Sequence, residues 1–181
     1  ANTASTTITV NAVNDVPVAT AQTATTDEDT AKPILLTGTD VEGSALTYVV
    51  VTQPSKGVLS GIAPNLIYTP NANVSGSDAF TFKVNDGTVD SAVATVSITI
   101  TAVNDAPVAT AQTVATEEDT AKAIMLAGTD AEGTALIYTV LTQPTKGVLS
   151  GTAPNLIYTP KLNETGSDSF TFKVYDGLQD S

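Results

Sequence analysis

Asn14, Asp15, Asp40, Glu42 and Asp86 recur as Asn104, Asp105, Asp130, Glu132 and Asp176, each displaced by 90 positions. Carboxylates and amides of this kind hold hard cations, and calcium takes six to eight oxygens from carboxylates, amides and backbone carbonyls. Glu28 and Asp78 extend the set, and no Lys stands in the loops that carry these residues. Nineteen acidic residues face seven basic ones, all Lys, with no Arg or His. The excess of oxygen ligands points to a cation rather than to proton-transfer chemistry.

Other chemistries find little footing. Without His or Cys the usual bases and nucleophiles are missing, and Ser or Thr would need a Lys partner. The chain therefore reads as non-enzymatic. Paired carboxylates for glycoside cleavage could be drawn from the acidic loops, but no concave aromatic platform accompanies them. A nucleic-acid binder needs a basic stripe, which a chain of net charge −12 lacks. The absence of Cys removes disulfides and zinc-thiolate sites together, so a small secreted domain would need another cross-link, and calcium would supply it.

The displacement by 90 extends far beyond the acidic residues. Asn14 through Ser91 overlies Asn104 through Ser181 without a gap, with roughly seven positions in ten identical, which marks a tandem repeat. The chain of 181 residues thus divides into modules of about 90, each large enough for its own core. Residues 13–102 form repeat 1 and residues 103–181 form repeat 2, which lacks a final strand. Ala1 to Ala12 aligns with Ser91 to Ala102 and is expected to be the last strand of a preceding repeat, so the chain reads as a segment of a longer array. No run of 18 apolar residues spans a bilayer, and the Thr, Ala, Val and Asn content fits a secreted or cell-surface β-protein.

No apolar face at spacing three and four persists for ten residues, so the module is all β. Strands are predicted over Val16 to Thr25, Ala31 to Leu36, Ala45 to Thr52, Gly57 to Ser60, Asn65 to Thr69, Ala79 to Asn85 and Ala92 to Ala102. Seven short strands at near-regular spacing predict a Greek-key sandwich in each copy. Period-two alternation puts Phe80, Phe82 and Val84 on one face of the sixth strand and Val96, Ile98 and Ile100 on one face of the seventh. Tyr48, Tyr68, Leu46 and Leu66 are expected to join that core, with the Val49-Val50-Val51 run as a buried strand.

Each strand of a sandwich crosses the domain, so successive loops alternate between its two ends. This counting collects Asn14, Asp15, Asp40, Glu42 and Asp86 at the end of repeat 1 facing the preceding repeat. Glu28 and Asp78 fall at the opposite end, beside linker residues Asn104 and Asp105 and the loops of repeat 2 carrying Asp130, Glu132 and Asp176. Such a concentration of negative charge repels itself unless a cation intervenes.

The same positions carry a family likeness. The linker Asn104-Asp105-Ala106-Pro107-Val108, the acidic turns Asp40-Val41-Glu42-Gly43 and Asp130-Ala131-Glu132-Gly133, Glu28 and Glu118 after the first strand, and Asp86-Gly87 and Asp176-Gly177 after the sixth occur in one order. In this the sequence resembles the cadherin-like tandem repeats of large bacterial surface and secreted proteins, including RTX adhesins. The resemblance implies calcium between successive repeats, stiffening the array, and a role in adhesion or as a rigid extracellular spacer. It implies neighbouring repeats or identical subunits as partners, with a cell-surface or matrix receptor beyond them. Ala102 stands where the family linker begins with Asp, and Ser44 and Thr134 stand where many relatives carry a further Asp. The reduced oxygen count implies one or two ions per junction rather than three.

Two readings of the ends follow. In the first, the modules are consecutive beads of one long chain. In the second, the segment Ser5 to Val10, with Thr6, Ile8 and Val10 inward, is donated to the incomplete second repeat of another molecule, giving a head-to-tail filament. Lesser candidates are a Lys83 or Lys173 isopeptide cross-link, which alternation turns outward; glycan acceptors at Asn73 and Asn163; and a Thr-rich face including Thr95, Ser97 and Thr99, which β-propensity explains.

Overall fold

The computed structural model describes residues 3–181, which fold without helices into two compact units, the first ending at Val103 and the second spanning Asn104–Ser181. No helix among the described residues is long and apolar enough to cross a membrane.

Unit 1 contains β1 (Val18–Ala19), β2 (Gln22–Asp27), β3 (Lys32–Leu35), β4 (Gly38–Thr39), β5 (Thr47–Thr52), β6 (Gly57–Ile62), β7 (Asn65–Pro70), β8 (Gly76–Asn85) and β9 (Ala94–Thr101). A four-stranded sheet in the order β2-β9-β8-β5 faces a three-stranded sheet in the order β3-β7-β6, with β1 and β4 as a short extra pair. Inward residues of both sheets make the core: Tyr68, Phe80, Phe82, Val84 and Val96 are fully buried, and Ile98 and Ile100 nearly so. Period-two alternation is what the strands need to expose one face and bury the other, and each such side chain contributes ~1.5–3 kcal/mol when fully buried.

The first predicted strand is two. β1 pairs antiparallel with β4, then the chain crosses to the other sheet, where β2 runs parallel to β9 from Gln22↔Val96 to Asp27↔Thr101. A hydrogen bond from Thr20 N to Thr37 O at 2.9 Å marks the crossing. The strand predicted over Ala31 to Leu36 is β3, after which the Leu36 N–H turns to Pro64 O and the chain continues into β4. The Val49-Val50-Val51 run is a strand but not a buried one: Val49 and Val51 are about half exposed, because β5 lies at a sheet edge and only Val50 faces the core.

Unit 2 repeats the arrangement as β10 (Val108–Thr110), β11 (Lys122–Met125), β12 (Ala127–Thr129), β13 (Ile137–Thr142), β14 (Gly147–Thr152), β15 (Asn155–Pro160) and β16 (Thr171–Tyr175). Its registers copy those of unit 1, down to the irregularity between Val140 and Thr142 that matches Val50 and Thr52. No described strand takes the place of β9. Residues 112–117, the counterpart of β2, then form no strand and are exposed, and Phe170 and Phe172 are only partly buried where Phe80 and Phe82 are sealed. Residues 3–15 are exposed and form no strand, with Ile8 and Val10 at 81% and 89% exposure.

Candidate cation-binding site

In unit 1 the loops before β1, after β4 and after β8 meet at one end. The Asn14 amide bridges them, donating to Asp86 Oδ2 at 2.8 Å and to the Asp15 carbonyl at 3.1 Å. The N–H of Asp15 donates to Glu42 Oε2 at 3.2 Å. Asp40 closes its own turn by accepting from Ser44 N at 2.8 Å through Oδ1. Asp86 does the same through its other oxygen, accepting from Thr88 N and Val89 N at 2.6 and 2.8 Å. Asp and Asn suit these loops because their short polar side chains bond the backbone two to four residues on.

Unit 2 builds the same constellation from the second copy. Asn104 donates to Asp176 Oδ2 at 2.8 Å and to the Asp105 carbonyl at 3.0 Å, Asp105 N reaches Glu132 Oε2 at 3.4 Å, and Asp130 accepts from Thr134 N at 2.7 Å. Hydrogen bonds thus join Asn14 to Asp86 and Asp15 to Glu42, and Asn104 to Asp176 and Asp105 to Glu132, while Asp40 and Asp130 bond within their own turns. Ser44 and Thr134, which stand where many relatives carry a further Asp, close these turns through their N–H groups, and Gln179, whose amide donates to Asn104 O at 3.1 Å, was not singled out from sequence.

The charge balance of these ends is uneven. The Asn14 amide foremost, with Val89 and Thr88 N–H, holds the Asp86 carboxyl below the usual range. Gln179 N–H, the Asn104 amide and Leu178 N–H do the same for Asp176. Neutral donors thus favour the ionised forms, while no cationic side chain pairs with them: the ion pairs among the described residues are Lys83–Asp90 and Lys173–Asp180, elsewhere on the modules. Asp40 Oδ2, Asp105 Oδ2 and Asp130 Oδ2 are buried without any hydrogen-bond partner. Among the described residues no three acidic side chains form a ready-made metal cage.

Glu28 and Asp78 differ from one another. Glu28 is buried at 6% exposure, and its Oε1 accepts from Val103 N at 2.7 Å, one residue before Asn104. Its backbone N–H also bonds Thr101 O, so strand direction places it correctly at the start of the linker. Asp78 corrects the sequence reading: it is not a free ligand. Its two oxygens accept from Ser55 N and Oγ, Lys56 N, Ala79 N and the Tyr68 hydroxyl, all within 3.1 Å. Burial opposes its charge, but the donors led by Ser55 N–H outweigh that and keep the carboxyl below its usual range. Asp78 is an internal latch, repeated by Asp168 with Thr145, Lys146, Ser169 and Tyr158.

The family model for the bacterial Ig domain matches the chain twice, over residues 14–99 and 104–181. The chain belongs to the bacterial Ig domain family. It is a tandem pair of bacterial Ig domains, one in each of the repeats that the linker and acidic turns delimit. No curated protein matches it. Among solved structures, human mucin-like protocadherin EC1-2 is 18% identical, with 88% of this chain and 87% of that one covered at a TM-score of 0.49. The protocadherin GammaB4 extracellular domain is 18% identical, covering 93% and 34% at 0.46. An endo-fucoidan hydrolase of glycoside hydrolase family 107 is 25% identical, covering 92% of this chain but only 27% of the hydrolase, at 0.41. The bacterial Ig assignment rests on the family match, which reaches both repeats.

Proposed function

We propose that this bacterial Ig pair is a non-enzymatic structural and adhesive module of a large extracellular protein, in which calcium bound at the linker stiffens successive repeats into a rod. The observation that carries the reading is the set of buried carboxylate oxygens without donors on Asp40, Asp105 and Asp130. An unpaired buried anionic oxygen is costly, and a cation is the partner that removes the cost. The chemistry of the set fits calcium: oxygen atoms alone, several of them anionic, without nitrogen or sulfur ligands. Asn104, Asp105, Asp130, Glu132 and Asp176 would hold it at the linker together with Glu28, and Asn14, Asp15, Asp40, Glu42 and Asp86 would serve a preceding repeat. Asp78 is withdrawn from the set, since its oxygens are already used.

A bound cation would act by neutralising charge that the Asn amides now offset only in part. Tying the linker to the loops of unit 2 would restrict its rotation, which is what a spacer requires. Small-angle scattering of the whole chain in calcium and in chelator tests this reading. A narrower distribution of module separations in calcium is expected, and superimposable curves would count against it.

A further inference from the structure

Of the ten asparagines in the chain, Asn73 and Asn163 alone are followed two positions on by a hydroxyl, in Asn73-Val74-Ser75 and Asn163-Glu164-Thr165. Both triplets fall in the same loop, between β7 and β8 in unit 1 and between β15 and β16 in unit 2. That loop has diverged: of residues 71–76 only Asn73 and Gly76 recur unchanged, as Asn163 and Gly166, whereas the repeats as wholes agree at roughly seven positions in ten. Ser75 becomes Thr165, so the hydroxyl survives where its neighbours do not.

The fold accounts for part of what is retained. Asn73 and Asn163 have φ of 54° and 56°, a left-handed conformation that asparagine adopts more readily than most residues. Backbone atoms clamp the loop: Asn73 N donates to Asp29 Oδ1 at 3.2 Å and Asn163 N to Asp119 Oδ1 at 3.0 Å, while Lys56 Nζ and Lys146 Nζ each donate at 2.8 Å to the carbonyls of Ser75 and Thr165. Any residue supplies those carbonyls. Among the described residues the Ser75 and Thr165 hydroxyls form no hydrogen bond, nor do the exposed side-chain amides of Asn73 and Asn163. A hydroxyl kept in a diverging loop without a bond in the fold needs a partner outside it.

We infer that Asn73 and Asn163 are N-glycosylation sites of the folded modules, taking a sugar from a diphosphate-activated donor. The triplet of asparagine, any residue but proline, and a hydroxyl residue is what such transfer recognises, and it belongs on a surface loop. The clamped backbone holds the amide and the hydroxyl out to a transferase without unfolding the strands on either side. In the transfer the amide nitrogen attacks the anomeric carbon of the sugar. The C–N bond forms as the bond from that carbon to the donor's phosphate oxygen breaks; the diphosphate leaves with its nucleotide or lipid carrier, and the amide proton passes to a base of the transferase. The length of β8 separates Asn73 from Asp86, so the sugar leaves the Asn14–Asp86 loops uncovered and the inference stands apart from the cation reading.

In the test the folded 181-residue chain, kept in chelator, is offered UDP-glucose with a soluble N-glycosyltransferase and, separately, a lipid-diphosphate oligosaccharide with an oligosaccharyltransferase. Mass spectrometry of proteolytic peptides should place sugar on both Asn73 and Asn163, and the productive donor identifies the carrier. Ser75→Ala and Thr165→Ala should each cut transfer in their own repeat at least tenfold without moving the melting temperature, since neither hydroxyl bonds within the fold. Asn73→Asp, which tolerates the left-handed φ, should abolish transfer at that site alone. Sugar missing from either site with both donors overturns the inference, as does transfer that appears only after denaturation or that survives loss of the hydroxyl.

Discussion

The Tyr68 hydroxyl donates to Asp78 Oδ2 at 2.8 Å from a ring with no exposed surface, tying the middle of β7 to the start of β8. Asp78 also receives the backbone of the turn between β5 and β6, so one carboxylate fixes three segments. Burial, then the bond and charge of Asp78, push the Tyr68 phenol far above its ordinary value. The pair is a neutral donor and an anionic acceptor, and both sheets depend on it.

Asp78→Ala should therefore destabilise unit 1 by ~1–3 kcal/mol, because it leaves the buried Tyr68 hydroxyl and the Ser55, Lys56 and Ala79 N–H groups without their acceptor. Denaturant unfolding of the whole chain measures it, with Asp168→Ala reporting on unit 2. Tyr68→Phe should cost less than Asp78→Ala, since the other donors keep their acceptor.

Acid should act through these same carboxylates. Asp78, Asp168, Asp86 and Asp176 all have folded-state values lowered from the ordinary carboxyl value of 3.8. A lowered folded value means stability that is fully present above the unfolded value and lost as pH falls through the folded one. Melting temperature should hold steady down to about pH 4 and fall progressively below it. Asp78→Asn should flatten this acid limb for unit 1, and a limb of unchanged slope in that variant would contradict the assignment.

Gly57 lies where the Tyr68 ring needs room: a Cβ there would stand 2.6 Å from the ring and 2.6 Å from Thr69 O. Gly57→Ala should displace the ring and its bond to Asp78, at ~1–3 kcal/mol for overpacking. A fall in melting temperature of about 4–8 °C per kcal/mol checks it. Gly147→Ala should do the same to Tyr158 in unit 2.

Glu28 separates two roles at the linker. Glu28→Gln keeps an oxygen for the Val103 N–H but removes the charge, so stability in chelator should change by less than about 0.5 kcal/mol while the gain from calcium shrinks. Glu28→Ala should lose the hydrogen bond as well, at ~1–3 kcal/mol even in chelator. Melting curves of both variants in the two conditions read the difference.

Much of this was legible in the residues. Alternation along Phe80-Phe82-Val84 and Val96-Ile98-Ile100 located the core, and counting strand directions gathered Asn14 with Asp86 and Asn104 with Asp176. The same alternation also contained the correction to Asp78, which lies two residues before Phe80 and so on the inward face of β8. Its neighbours, the Ser55-Lys56 backbone, come from a turn 22 residues away and leave no periodic trace. The switch of the first strand between sheets was hidden for a related reason. Val18 and Thr23 sit in similar Thr- and Ala-rich surroundings, and only their partners, β4 and β9, set them apart. The Val49-Val50-Val51 run misled because an edge strand tolerates β-branched residues on its solvent face.

The proposed rod depends on calcium at the linker carboxylates. The most direct measurement is the thermal unfolding of the whole chain and of Asp130→Asn in saturating calcium and in chelator. A ligand at about 100 times its Kd that binds only the folded state adds about 2.7 kcal/mol. The wild-type transition of unit 2 should therefore rise by roughly 10 °C or more, at about 4–8 °C per kcal/mol. Asp130→Asn should lose most of that rise while melting normally in chelator. Coincident wild-type curves in calcium and chelator would contradict calcium binding at the linker.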